Sequence, residues 1–113
     1  MIKVYGIKNC DSVKKALSFF KKHNLKYELQ DFKTKKVSCD EVSLWLKQVD
    51  IKTLFNSKST TYRTLKLKEL NLDENLQKQW LCTENLLIKR PVVEFNDKVI
   101  VGFNEDVYKG VFL

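Results

Sequence analysis

The residue in this chain that is best placed to do chemistry is Cys10. It follows a short apolar segment, Met1–Tyr5, that is typical of a buried strand, and a turn over Gly6–Asn9. A predicted helix begins directly after it, at Asp11. The start of a helix presents unpaired backbone N–H groups and the positive end of the helix dipole, and both favour a thiolate over a thiol. We therefore expect Cys10 to act as a nucleophile.

Two neighbours of Cys10 act on the charge of its sulfur in opposite directions. Ser12 can donate its hydroxyl or its backbone N–H toward the sulfur, whereas the Asp11 carboxylate disfavours a second anion close by. A lysine or arginine brought in from elsewhere in the chain would settle the balance in favour of the thiolate. The alternative interpretation of Cys10 is a small buried residue that packs the turn between a strand and a helix.

The three cysteines, Cys10, Cys39 and Cys82, are odd in number and widely spaced. No Cys-x-x-Cys motif occurs, because position 13 is valine, and His23 is the one histidine. A zinc or iron–sulfur site is therefore not expected, and neither is a bound cofactor. In a reducing compartment we expect three free thiols, with Cys39 inert and Cys82 a small core residue.

Without a second cysteine beside it, Cys10 depends on another thiol to resolve any mixed disulfide that it forms. That thiol comes from a small molecule, from another protein, or from Cys39 or Cys82 after a movement. The simplest expectation is monothiol chemistry with glutathione, or a similar low-molecular-weight thiol, as co-substrate.

Composition narrows the class of protein. With 113 residues, of which 43% are hydrophobic, the chain can bury the core of one domain, and we expect a single domain over 1–113. It has neither a secretory apolar region nor a run long enough to span a membrane, so we expect a cytoplasmic monomer that does not bind membranes. The net charge of +7 comes from scattered lysines, with Arg63 and Arg90 the only arginines. Scattered lysines indicate solvated faces rather than a nucleic-acid surface, and Arg63 is expected to be such a solvated charge.

The N-terminal part of the pattern predicts a strand, a helix and a second strand. The helix is expected over Asp11–His23, and the second strand over Leu25–Phe32, where apolar and polar residues alternate. Two strands joined by one helix should be parallel, with a right-handed crossover. The apolar face of the helix consists of Val13, Ala16, Leu17, Phe19 and Phe20.

The middle of the chain shows no strand pattern, and helices are expected there. A capping box at Ser38–Glu41 opens the first of them. Tyr62–Leu70 and Glu74–Cys82 are predicted to be short helices, and Asp73 is suited to cap the second. These segments form a helical insert over about 33–88.

The C-terminal part predicts a hairpin and a last helix. The hairpin pairs Val92–Phe95 with Val99–Val101, and the helix is capped by Asn104, with Val107 and Val111 facing inward. The order of elements is β-α-β, helical insert, β-β-α. It predicts an α/β fold with a mixed sheet of four strands.

Three segments in this order give the chain a family resemblance: Tyr5–Ser12 (YGIKNCDS), Ile88–Pro91 (IKRP) and Val101–Asp106 (VGFNED). The chain resembles the arsenate reductase (ArsC)/Spx family along its whole length, and within it the YffB-like branch. The resemblance implies a thioredoxin-like, glutaredoxin-like fold with an inserted helical region. It implies a redox protein that acts on glutathione, another thiol or a small oxyanion.

The resemblance also assigns roles to individual residues. It makes Cys10 the nucleophile and places Asn9 and Ser12 in the same pocket. Arg90 would bind an oxyanion or hold the thiolate, and Pro91 would match the cis-proline that faces the active cysteine in thioredoxin-like folds.

Family arsenate reductases place three arginines around the oxyanion, and this chain departs from that pattern. Arg90 matches one of them, and Lys58 stands where the YffB and Spx branches carry the second. At the third, Gly102–Asn104 offers no arginine. We therefore expect Lys58 and Arg90 to bind glutathione carboxylates or another anion, in a glutathione-dependent thiol reductase rather than a true arsenate reductase.

The alternative is a regulatory protein of the Spx type. It would bind RNA polymerase or another protein partner without catalysis. The segment Gly102–Asp106, which is shared with the Spx branch, supports this second interpretation, whereas the valine at position 13 breaks the Cys-x-x-Cys pattern of the Spx redox switch.

Overall fold

The strand nearest the N-terminus, β1 (Ile2–Gly6), lies inside a four-stranded sheet and is buried at four of its five positions. It pairs in parallel with β2 (Tyr27–Asp31) and antiparallel with β3 (Val92–Phe95), which pairs antiparallel with β4 (Lys98–Val101). The strand order is β2-β1-β3-β4. This computed structural model describes residues 1–113 and confirms the mixed four-stranded sheet and the α/β class.

The chain divides into two units. Unit 1 comprises Met1–Thr34 and Arg90–Leu113, and unit 2 comprises Lys35–Lys89. Unit 2 is the inserted helical region, and its bounds lie within two residues of the predicted 33–88. The count of one domain over the whole chain stays a prediction.

Two helices cover one face of the sheet in unit 1. Helix α1 (Asp11–Lys22) follows β1, and α6 (Glu105–Phe112) ends the chain. Tyr108 lies at the centre of their packing, stacked on the ring of Phe20 with ring centres 5.7 Å apart. The buried core of this layer consists of Ile2, Val4, Ala16, Phe19, Phe20, Val93 and Tyr108.

One expectation about α6 is wrong. Val107 was predicted to face inward, but it is 48% exposed, and Tyr108 is fully buried in its place. An aromatic side chain removes more apolar surface from water than a valine does, so the helix is rotated to bury Tyr108. Val111 is half-buried.

Most ends of helices and strands in unit 1 lie where the capping and turn residues in the sequence predicted them. Asn24 takes a left-handed conformation (φ 56°) after α1, and Asn96 and Asp97 (φ 48° and 63°) form the two-residue turn between β3 and β4. Asn104 caps α6, because its Oδ1 accepts the Val107 N–H at 3.0 Å.

Unit 2 is helical, as predicted, and the helix predicted over Glu74–Cys82 is present and ends at Thr83. The segment 62–70 is not one helix, because Lys66 takes a left-handed conformation (φ 53°) and interrupts it, and Leu67 next to it is buried. The helices of unit 2 are α2 (Cys39–Leu46), α3 (Ile51–Leu54), α4 (Thr60–Thr64), a 3-10 turn (Leu67–Leu70), α5 (Glu74–Thr83) and a second 3-10 turn (Asn85–Leu87).

The two ends of the 55–88 segment meet in a short antiparallel bridge that the sequence pattern did not indicate. Phe55 pairs with Ile88, the Asn56 N–H donates to the Leu87 carbonyl, and the Lys89 N–H donates to the Leu54 carbonyl, both at 2.8 Å. The capping box at Ser38 and the Asp73 cap of α5 are present as predicted. None of the helices combines the length and the apolar character that crossing a membrane requires.

Candidate functional site

Cys10 is the N-cap residue of α1. Its backbone is extended (φ −145°, ψ 125°), and its carbonyl accepts the Lys14 N–H at 2.9 Å. The sulfur makes no capping hydrogen bond to the helix, and the residue is a half-buried free cysteine. The thiol therefore stands at the positive end of the helix dipole while remaining open to a reaction partner.

Gly6 at the end of β1 lies directly against the Val13 side chain in the first turn of α1. A Cβ atom on Gly6 would lie 2.7 Å from Cγ2 of Val13, which is fully buried. Only glycine therefore allows the first turn of α1 to pack this tightly on the end of β1. The position of Cys10 depends on this contact, since Cys10 lies in the short connection between the two elements.

The connection is also tied to the end of β2. The carboxylate of Asp31 accepts the Lys8 N–H at 3.2 Å and the Lys33 N–H at 2.8 Å, and the Gly6 carbonyl accepts the Phe32 N–H at 2.8 Å. These bonds hold the loop beside the carboxyl ends of two strands. Asn9 lies in this loop and is exposed.

Pro91 lies at the same edge of the sheet. The Arg90–Pro91 peptide is cis, as the family resemblance implies, and Pro91 is buried. Its carbonyl accepts the Gly102 N–H at 2.8 Å. Val92 is paired with Tyr5, so one step further along the same register brings Pro91 opposite Gly6, where the connection to Cys10 begins.

Arg90 stands directly before Pro91 and is half-buried, with its Nε atom buried. Around the start of α1, Asp11, Lys14 and Lys15 are exposed, and Ser12 is half-buried. Unit 1 therefore brings Asn9, Cys10, Ser12, Arg90 and Pro91 to one end of its sheet.

Lys58 belongs to unit 2, in the turn before α4. It is exposed, and its backbone N–H donates to Oδ1 of Asn56 at 3.1 Å. Its role in ligand binding stays a prediction. Arg63 is exposed on α4, as expected for a solvated charge.

The expectation of three free thiols is wrong. Cys39 and Cys82 form a disulfide with an S–S distance of 2.08 Å and a Cα–Cα distance of 4.9 Å. Cys82 is half-buried rather than a core residue, because the preceding Leu81 takes the fully buried position on α5. The two cysteines are 43 residues apart, so no local sequence pattern indicates that they pair.

Sequence and structure comparisons agree with the fold and with the family resemblance. The ArsC family model matches residues 5–111. A protein of Haemophilus influenzae is 38% identical over 99% of both chains, and the global transcriptional regulator Spx of Staphylococcus aureus is 27% identical over 94% of this chain and 82% of its own. The solved structure of the protein YffB (PA3664) is 30% identical, covers 100% of both chains and superposes with a TM-score of 0.92.

Proposed function

This chain belongs to the ArsC family, and on that basis we propose that it is a cytoplasmic, glutathione-dependent thiol oxidoreductase with Cys10 as its single nucleophile. The observation that carries the proposal is the free, half-buried thiol at the N-cap of α1. A sulfur in this position can be both reactive and reachable.

The proposed reaction begins when the Cys10 thiolate attacks the glutathione sulfur of a mixed disulfide. A bond forms between Cys10 and glutathione, and the substrate leaves as a thiolate that takes up a proton. A second glutathione thiolate then attacks the glutathione sulfur on Cys10, which releases glutathione disulfide and regenerates the Cys10 thiolate. In sum, one mixed disulfide and one glutathione become one free thiol and one glutathione disulfide.

The neighbours of Cys10 support these two steps. The first N–H groups of α1 have no partner within the helix, so they are suited to stabilise the thiolate and the departing sulfur. Ser12 can add a hydroxyl donor, and Asn9 can hydrogen-bond the peptide groups of glutathione. We assign Arg90 to a glutathione carboxylate, because a guanidinium can bind a carboxylate through two parallel hydrogen bonds.

The same residues favour a thiol substrate over arsenate. A highly charged oxyanion such as arsenate is bound best by several arginines. Arg90 is the one arginine of unit 1. A ligand in disulfide exchange carries less concentrated negative charge than arsenate. The site therefore needs fewer fixed cations to bind it.

The test uses a protein in which Cys39 and Cys82 are both replaced by serine, so that Cys10 is the only sulfur nucleophile. This variant should turn over a glutathione mixed disulfide, with the glutathione disulfide measured by a coupled reductase. It should retain one glutathione, mapped to Cys10, when treated with glutathione disulfide alone. The matched protein that also carries Cys10→Ser should show only the uncatalysed rate. Full turnover by that protein would contradict the proposal.

A second candidate function is regulatory protein binding. It is favoured by the identity to Spx, whose name describes a global transcriptional regulator, and by the Gly102–Asp106 segment at the end of β4. Purified RNA polymerase should then bind wild type and Cys10→Ser with equal affinity in a direct binding measurement. Equal binding together with an absence of thiol turnover would favour this function over the first.

A further inference from the structure

Unit 2 contains a second sulfur centre that the chemistry of Cys10 does not use. Its two cysteines lie on different helices: Cys39 is the first residue of α2, and Cys82 is in the last turn of α5. They are joined as a disulfide, with their Cα atoms 4.9 Å apart. Such a pair in a reducing compartment is more often redox-active than permanently bonded.

Three hydrogen bonds hold the backbone on both sides of this disulfide. Lys36 Nζ donates to the Thr83 carbonyl at 3.3 Å, and the Val37 N–H donates to Oδ1 of Asn85 at 2.9 Å. Nδ2 of Asn85 in turn donates to the Leu81 carbonyl at 3.0 Å. The segment before Cys39 is therefore attached to the residues around Cys82 without help from the sulfur–sulfur bond.

Buried apolar side chains also hold α2 and α5 together. Val37, Val42, Trp45 and Leu81 are at most 3% exposed, and α2 contacts α5. Neither this packing nor the hydrogen bonds of Asn85 involve the sulfur–sulfur bond. The two thiols would then stay close enough to re-form the bond, which is the condition for a reversible pair.

The two cysteine residues also differ in accessibility. Cys39 is exposed and Cys82 is half-buried. A small thiol or disulfide can therefore reach Cys39 first, while Cys82 is placed to resolve the product.

We propose that Cys39 and Cys82 form a second, reversible dithiol–disulfide site that exchanges with low-molecular-weight thiols and disulfides independently of Cys10. In the oxidising direction the Cys39 thiolate attacks a small disulfide, forms a mixed disulfide and releases one small thiolate. The Cys82 thiolate then attacks the Cys39 sulfur and releases the second small thiolate, so that one small disulfide yields the protein disulfide and two small thiols. Two thiols of the small molecule reverse both steps.

The experiment uses reduced full-length Cys10→Ser protein, from which the reductant has been removed, and glutathione disulfide as the probe. The intact mass should fall by two hydrogen atoms, with no retained glutathione, and peptide mapping should find the link between Cys39 and Cys82. Excess reduced glutathione should then restore the original mass under native conditions. The fraction oxidised at a given ratio of glutathione to its disulfide should be the same from both directions.

A matched variant traps the intermediate. Cys10→Ser combined with Cys82→Ser should keep one glutathione on Cys39, whereas Cys10→Ser combined with Cys39→Ser should react several-fold more slowly, because Cys82 is less exposed. Circular dichroism checks that each variant is folded. If a variant does not fold, differential alkylation of Cys39 and Cys82 in the wild-type protein measures the same equilibrium.

Three results would overturn the proposal. The Cys10→Ser protein could retain glutathione on both cysteines, it could stay fully reduced in excess glutathione disulfide, or its disulfide could resist excess reduced glutathione in the folded state. Because Cys10 is absent from this protein, these outcomes are independent of whether the function proposed for Cys10 is correct.

Discussion

Cys10 and Cys39 have similar neighbours in the sequence but different surroundings in the folded chain. Each precedes an aspartate and each lies at the start of a helix, Cys10 as the N-cap of α1 and Cys39 as the first residue of α2. Cys10 is a free thiol, whereas Cys39 is bonded to Cys82. A cysteine at a helix start is therefore not enough to define a reactive monothiol, because what lies opposite the sulfur decides its chemistry.

The two helix starts also differ in how their N–H groups are used. In α2, Ser38 accepts the Glu41 N–H and Glu41 returns a hydrogen bond to the Ser38 N–H, so the capping box satisfies donors at this end. In α1 the N-cap is the cysteine itself, and its sulfur makes no capping bond. The donors at the start of α1 are thus left for the thiolate or for a ligand.

The largest effect that separates the two cysteines should be on stability. The disulfide closes a loop of 43 residues, and loop-closure entropy assigns such a cross-link about 4 kcal/mol of unfolding free energy. Urea unfolding should show this loss for wild type in reductant and for the Cys39→Ser/Cys82→Ser variant. Cys10→Ser should not lower stability, because serine is a favoured N-cap residue. Equal urea midpoints for oxidised and reduced wild type would contradict the stabilising effect of the disulfide.

Asn85→Ala tests whether unit 2 holds its cysteines together without the disulfide. The change leaves the buried Val37 N–H without its acceptor and removes the amide donor to the Leu81 carbonyl. The cost should be about 3 kcal/mol, measured by urea unfolding in reductant. Oxidation of the reduced Cys10→Ser protein should also slow when Asn85→Ala is added.

An asparagine in unit 1 provides the control. Asn104→Ala removes an exposed helix cap and should cost about 1 kcal/mol. It should leave the oxidation rate of Cys39 and Cys82 unchanged. If Asn85→Ala and Asn104→Ala slow the oxidation of Cys39 and Cys82 equally, Asn85 acts through the overall stability of the protein and not by holding the two cysteines together.

Gly6→Ala tests how unit 1 positions Cys10. The added methyl group would lie 2.7 Å from Cγ2 of Val13, and such overpacking should cost about 2 kcal/mol. Reaction of Cys10 with glutathione disulfide should slow as α1 shifts. Adding Val13→Ala removes the clash, so the double variant should be more stable than the sum of the single changes predicts. Strict additivity would mean that the contact does not set the angle of α1.

The last effect depends on pH and concerns unit 1. Tyr108 is fully buried and donates its hydroxyl to the Gly102 carbonyl at 2.8 Å, and burial raises the pKa of its phenol well above the ordinary value. The folded-state pKa exceeds the unfolded one, so this stability is fully present below about pH 10 and is lost as pH rises further.

At pH 11 the loss due to Tyr108 should be about 1.4 kcal/mol. Urea unfolding of wild type and Tyr108→Phe over the alkaline range measures it, since the phenylalanine variant lacks the ionising group. The advantage of wild type over the variant should shrink as pH rises. Parallel pH profiles would exclude Tyr108 as the cause.

Predictions from the sequence were most accurate where the signal is local. Helix caps at Ser38, Asp73 and Asn104, and the turn at Asn96-Asp97, occur as predicted because each depends on a side chain bonding to backbone within three residues or on a residue that tolerates positive φ. The prediction for α6 was wrong, because spacing alone does not say which of two adjacent apolar residues, Val107 or Tyr108, is buried.

The element order, the four-stranded mixed sheet, the helical insert and the position of Cys10 at a helix start could all be predicted from the sequence. Apolar periodicity and capping chemistry act over a few residues, so they can be read without the fold. Three features became visible only in the folded chain: the Cys39–Cys82 disulfide, the pairing of Phe55 with Ile88, and the contact of Val13 with Gly6 that requires a glycine there. These contacts join residues on different elements, and their free energy depends on packing that no single segment specifies.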